Sequence, residues 1–207
     1  YAKEQWDKFR ALSNMCDVEV LASMIKSCNR CDLALNRKGA VPGEGPTGAR
    51  ILLVGQAPFD AEQINGRPFW GVTGSFLRYL LGRGGVKFYD CWRTNLLKCP
   101  LPRYGRPKWR QVYACLPYLK EELRLVRPGI IVPLGKWATK GIMHLFGIPR
   151  PEKNSMIPQM FGKPLYVEDY IIFPLPHPAS LIYRSTLWNP TVDLFEGFGE
   201  FLLHELN

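Results

Sequence analysis

The sequence has no apolar run of the roughly 18–20 residues that a membrane-spanning helix needs, which excludes a helical transmembrane chain. Its opening stretch, YAKEQWDKFR, has no apolar signal core and no small-residue cleavage site, so the expectation is an unsecreted, cytoplasmic protein. Acidic residues are few, 18 Asp and Glu against 27 Lys and Arg, and the net charge of +9 leans toward a polyanionic partner, nucleic acid before others. Histidine occurs only three times, and no cysteine follows position 115. Internal repeats and low-complexity tracts are missing. Apolar material is not: 46% of the 207 residues are hydrophobic, too many for a disordered chain, and the length suits one domain over 1–207.

Apolar residues at Trp6, Phe9, Leu12, Met15, Val18, Leu21, Met24 and Ile25 recur at helical spacing, predicting a helix over 6–27. Positions 36–48 hold four glycines and two prolines, and form a loop. Four continuous apolar segments then read as strands buried on both faces: 50–55, 91–97, 129–134 and 170–175. Helical patterns at 74–82, 108–126 and 136–146 separate the strands, and another closes the chain at 191–206. Alternating strands and helices predict an α/β fold with a mainly parallel four-stranded sheet between helices. In such sheets ligands bind beyond the carboxyl ends of the strands, so the loops after the strands are where chemistry is expected.

Cys28-x2-Cys31 places two thiolates within reach of one metal centre, and Cys99 and Cys115 stand much further along. Four cysteines can form a tetrahedral zinc site or hold a 4Fe-4S cluster. Zinc more often uses a second close pair, so the wide interval between Cys99 and Cys115 favours the cluster. Cys16, in the first helix pattern, and Cys91, at a strand start, read as plain core thiols.

The loops after the strands carry Gly55-Gln56-Ala57-Pro58-Phe59-Asp60, Gly66-Arg67-Pro68-Phe69-Trp70-Gly71, Thr94-Asn95-Leu96-Leu97-Lys98-Cys99-Pro100 and Pro176-His177-Pro178-Ala179-Ser180-Leu181. Together, over about residues 25–205, they resemble the uracil-DNA glycosylase superfamily, and within it the iron–sulfur family four. The resemblance implies a three-layer α/β/α sandwich and a DNA-repair hydrolase that flips uracil out of DNA and leaves an abasic site. It also implies a monomer working near the nucleoid, with a 4Fe-4S cluster on Cys28, Cys31, Cys99 and Cys115.

The reaction passes through an oxocarbenium-like sugar and an anionic leaving base, and both need stabilising away from bulk water. By resemblance, Phe69 stacks on the flipped base, recovering part of the unstacking cost. Asn95 would accept from uracil N3–H and donate to its 4-carbonyl oxygen, a pattern that cytosine reverses. His177 would donate to the 2-carbonyl oxygen as charge builds there; His144 and His204 read as structural or solvated. Gly55, Gln56 and Ala57 would line the base pocket. Leu181, with Ile182 and Tyr183 as alternatives, would wedge into the stack. Arg184, Ser180 and Lys98 would meet phosphates, with Arg103, Arg106 and Lys108 beside the cleft.

The first loop departs from the usual Gly-Glu-Ala-Pro-Gly. Gln56 cannot act as a base, and Ala57 stands where family one carries its water-activating Asp. Asp60 is then the nearest carboxylate, with Glu62 behind it, and Phe59 matches the aromatic that blocks the thymine methyl group in family one. The last loop reads His-Pro-Ala-Ser instead of His-Pro-Ser, shifting Ser180 by one position. These departures leave two alternatives: a glycosylase for hypoxanthine, xanthine or a modified pyrimidine, and a non-catalytic DNA- or base-binding module.

Overall fold

The computed structural model describes residues 17–102, 105–149, 151 and 154–205. The first half of the expected N-terminal helix, including Cys16, lies outside them. Helix α1 (Val18–Lys26) starts where the Asp17 carboxylate accepts from the Val20 N–H at 2.8 Å, an N-cap, and it buries Leu21 and Ile25.

Five strands form one sheet: β1 (Ile51–Gly55), β2 (Trp92–Asn95), β3 (Ile130–Pro133), β4 (Leu165–Val167) and β5 (Tyr170–Ile172), in the order β2-β1-β3-β5-β4. The first four in that order run parallel, and β4 is antiparallel to β5. The count therefore corrects the expected four. Strand β4 is three partly exposed residues on the sheet edge, too short to show a periodicity.

Successive side chains of a strand alternate between faces, and both faces are covered. Leu52, Val54 and Ile131 point into one core, under α1, α4 (Trp109–Val126) and α5 (Gly135–Leu145). Leu53, Ile130 and Val132 point into the other, under α3 (Val72–Arg83) and α7 (Trp188–Glu205). This is the expected three-layer arrangement. Two short helices, α2 (Asp60–Asn65) and α6 (Ser180–Tyr183), sit in the loops after β1 and β5. The outer edge of β2 is closed by an antiparallel bridge, Glu44 N–H to Arg93 O at 2.9 Å and Arg93 N–H to Glu44 O at 2.8 Å. The buried Arg93 guanidinium also pairs with the Glu44 carboxylate at 3.1 Å, so the open edge offers little to a stray strand.

The far face is held by a close helix–helix approach. A Cβ on Gly199 of α7 would run into the main chain of Gly84 at the end of α3, which cannot swing aside as a flexible side chain would. Gly197, two residues away, faces open space. Gly199→Ala should therefore cost about 1–3 kcal/mol through overpacking and lower the melting midpoint by several degrees, whereas Gly197→Ala should be neutral or stabilising. Calorimetry of both variants checks this; equal midpoints would contradict the contact.

Candidate active site

Four strand ends converge. Beyond β1 and β2 the ladder continues for two bonds, Leu96 N–H to Gly55 O at 2.9 Å and Leu97 N–H to Gln56 O at 3.0 Å. Beyond β3 and β5, Leu134 bridges Leu175, and the Gly135 N–H donates to Leu175 O at 2.7 Å. These bonds hold the loops bearing Gln56, Asn95 and His177 side by side at the carboxyl end of the sheet. There a cleft of about 850 Å³ opens, lined in part by Gln56, Ala57, Phe59, Asp60, Pro100, Leu101, Gly105, His177 and Ser180.

His177 packs its Cβ over Gly135, whose φ of +83° and absent side chain leave room for it. The ring's Nδ1 accepts from the Ala179 N–H at 3.2 Å. The proton of the neutral imidazole must then sit on Nε2, leaving that nitrogen as the donor. Burial pushes the imidazole pKa down to about 4, so the ring stays neutral near pH 7.

Asn95 ends β2 and is only 2% exposed, yet its Nδ2 has no hydrogen-bond partner among the described residues. Its Oδ1 and the Phe69 ring crowd Gly55 so closely that a Cβ there would collide with both. Phe69 is buried in a left-handed conformation, φ +55°, and its N–H is held by Glu62 Oε1 at 2.6 Å. Glu62 Oε2 takes the Phe59 N–H at 2.7 Å. One carboxylate thus ties the start of α2 to the Phe69 turn. Burial pushes its pKa up, against the pull of those two N–H groups and of the nearby Asn95 amide. Asn95 and Phe69 do not line the cleft; they stand one layer inside it, against Gly55.

The four cysteines also gather. Cys99 and Cys115 are buried, Cys28 and Cys31 half-buried. Burial pushes the Cys31, Cys99 and Cys115 thiols up, Cys115 to about 12, and neighbouring thiols of the set raise each of them further. Arg37 donates to Cys99 Sγ at 2.9 Å and to the Cys28 carbonyl at 2.5 Å, tying two of the four together. Among the described residues no three His, Cys, Asp or Glu side chains are grouped tightly enough to share a single ion.

Comparison with known proteins decides the family. Residues 42–198 match the model of the uracil DNA glycosylase superfamily. The chain belongs to that superfamily. It is 33% identical to a type-4 uracil-DNA glycosylase of Saccharolobus solfataricus over 84% of this chain and 81% of that one. It is 34% identical to the type-4 enzyme of Archaeoglobus fulgidus over 85% and 88%. For the type-4 enzyme of Thermotoga maritima the identity is 31% over 80% and 83%.

Within this glycosylase fold two expected DNA contacts need correcting. Lys98 is 1% exposed and its ammonium is bonded to Glu122, so it cannot reach a phosphate. Leu181 is 6% exposed and packs into the core with Val192 and Phe195, because α6 turns it inward; its neighbour Ile182 is 46% exposed. Ser180 lines the cleft, but its hydroxyl donates to His177 O at 2.7 Å, closing the turn beneath the histidine. Arg184, Arg106 and Lys108 are exposed. Arg103 and the Tyr183 side chain lie outside what is described. Asp60 opens α2 on the cleft wall and accepts from Gln63 Nε2 at 3.2 Å. The bracing role of Glu62 was not expected, although a Glu three residues after a helix N-cap is half of a capping box.

The neutral His177 gives a pH prediction. An unfolded imidazole titrates near 6.5 and the folded one near 4, so between these values the unfolded chain binds more protons. The stability this group contributes is complete above about pH 6.5 and is lost as pH falls toward 4. Nitrogen NMR should find His177 as the neutral Nε2–H form at pH 5.5; a ring already protonated at pH 6 would contradict the site as described.

Proposed function

We propose that this protein removes uracil from DNA by hydrolysing its N-glycosidic bond, leaving an abasic site. The observation that carries the reading is a neutral histidine whose Nδ1 is taken, so that its proton sits on Nε2, set in the same group of strand ends as a buried amide whose Nδ2 has no hydrogen-bond partner among the described residues. An unpartnered buried amide is costly, and a ligand that pairs with it repays the cost.

In the proposed reaction the flipped base stacks on Phe69, and its N3–H and 4-carbonyl oxygen pair with Asn95 Oδ1 and Nδ2. His177 Nε2–H meets the 2-carbonyl oxygen as it turns anionic. A neutral donor suits that task, since it stabilises the leaving anion without surrendering its proton. Gly55 leaves room for the ring and amide together, and Ala57 keeps the cleft wall low. Phe59, 61% exposed on that wall, is positioned to exclude a 5-methyl group. Gln56 and Asp60 hold the attacking water, with Asp60 the only carboxylate lining that cleft among the described residues. Ile182 is the wedge, with Arg184 and Ser180 nearest the DNA backbone.

Cys28, Cys31, Cys99 and Cys115 would hold a 4Fe-4S cluster. Its contribution is structural: it pins α1 and the loop after Asn95 to α4. Protein purified without oxygen should be brown, absorb near 400 nm and contain about four irons per chain. Stoichiometric zinc without iron would overturn this assignment.

A uracil-containing oligonucleotide, incubated with the protein and then cleaved with alkali, tests the function itself. Strand scission at the uracil position is expected. Tight binding without scission would favour the non-catalytic module that Gln56 and Ala57 suggest. His177→Ala and Asn95→Ala should each slow single-turnover release by about a hundredfold or more, the value of one preorganised donor at a developing oxyanion. Asp60→Asn should cost about tenfold, less than a strict general base gives. If Asp60→Asn abolishes release while His177→Ala barely alters it, the roles are reversed.

A further inference from the structure

Lys98 is only 1% exposed, and its three ammonium protons are all taken. Nζ lies 2.8 Å from Glu122 Oε2, 3.0 Å from the Asn95 carbonyl oxygen and 2.5 Å from Thr94 Oγ1. Glu122 Oε1 in turn accepts from the Gly43 N–H at 3.0 Å and from Thr94 Oγ1 at 3.1 Å. The network is closed, with no solvent in reach of either charge.

Burying such a pair is a poor way to gain stability, because well-packed apolar side chains do as well or better. What the pair supplies is position. The peptide group after Asn95 is held at both ends: its carbonyl by Lys98, and its N–H by Gly55 O at 2.9 Å. Among the described residues the Asn95 Nδ2 makes no hydrogen bond of normal geometry, and the Glu62 carboxylate near it is already held by two main-chain N–H groups. The direction of that amide is therefore inherited from the main chain, and the main chain is clamped by a side chain three residues on.

We propose that Lys98 is a positioning residue for base excision: its buried ammonium clamps the peptide after Asn95 and so aims the amide that reads the base, with Glu122 holding the ammonium in place. This rests on the uracil reading above. It also replaces a phosphate contact with a role inside the protein.

Lys98→Met alone strands the Glu122 carboxylate without its counterion, so the test uses two charge-neutral pairs, Lys98→Met/Glu122→Gln and Lys98→Met/Glu122→Met. The first keeps an acceptor for Gly43, and the second is wholly apolar. In whichever folds with wild-type iron content and circular dichroism, affinity for DNA that lacks uracil should stay within about twofold, because neither residue reaches the surface. Single-turnover uracil release should fall at least about tenfold, as expected when a catalytic group is misplaced by a fraction of an ångström. The same variants are assayed on 5-fluorouracil, whose anion is a better leaving group and leans less on Asn95. The fall there should be severalfold smaller, a difference that general loss of structure would not produce. Release within twofold of wild type, or equal falls on both bases, would overturn the proposal. A wild-type protein inert on both bases would instead defeat the uracil reading, which keeps the two failures distinct.

Discussion

A cation can be buried only where every proton it carries is bonded and its charge is matched, and the ion pair of Lys98 with Glu122 meets that condition with little to spare. Much of the molecule is arranged around it. Glu122 belongs to α4, so the pair fastens that helix to the end of β2. The Gly43 N–H on Glu122 and the Val41 N–H on Lys98 O, at 2.7 Å, fasten the glycine-rich segment that precedes β1. Glu44, next along, seals the edge of β2 against Arg93. Cys99 follows Lys98 directly, and the Lys98 main chain lies close enough to the Cys115 thiol to pull its pKa down against burial. The cysteine group and the base-reading amide are thus held by opposite ends of one residue.

Charge is distributed by depth. The surplus of basic residues belongs to the surface, where it suits a phosphate backbone, while the groups proposed to meet the base carry no charge. His177 is kept neutral by burial and presents only a donor. Glu62, the carboxylate behind Asn95, is spent on two main-chain N–H groups. A leaving anion placed among such groups meets dipoles already oriented toward it, which is the condition under which electrostatic stabilisation is largest.

Much of this was legible in the residues. The continuous apolar runs at 50–55 and 129–134 read as strands covered on both faces, and covered strands imply helices on both sides. The loops after them carried the polar residues that converge on the cleft. What the residues hid was direction. Leu181 and Ile182 are adjacent and equally apolar; a single helical turn decides that one enters the core and the other meets solvent. Lys98, beside a cysteine and after a strand, reads as a surface cation, since nothing in its neighbourhood announces a carboxylate from a helix more than twenty positions later. Strand β4 was missed because three edge residues carry no pattern, and Glu62 because its capping role needs a polar N-cap to be recognised and Phe59 stands there.

The proposed excision depends on one geometric relation, that the Asn95 amide and the His177 Nε2–H read the same base from two strand ends. A crystal structure of the protein with uracil-containing DNA, solved with the excised base retained, measures that directly. That relation predicts uracil on Phe69, its N3 and 4-carbonyl oxygen within hydrogen-bond distance of Asn95 and its 2-carbonyl oxygen on His177 Nε2. Uracil held elsewhere in the cleft, with the Asn95 amide still unpartnered and His177 bonded only to Ala179, would contradict it.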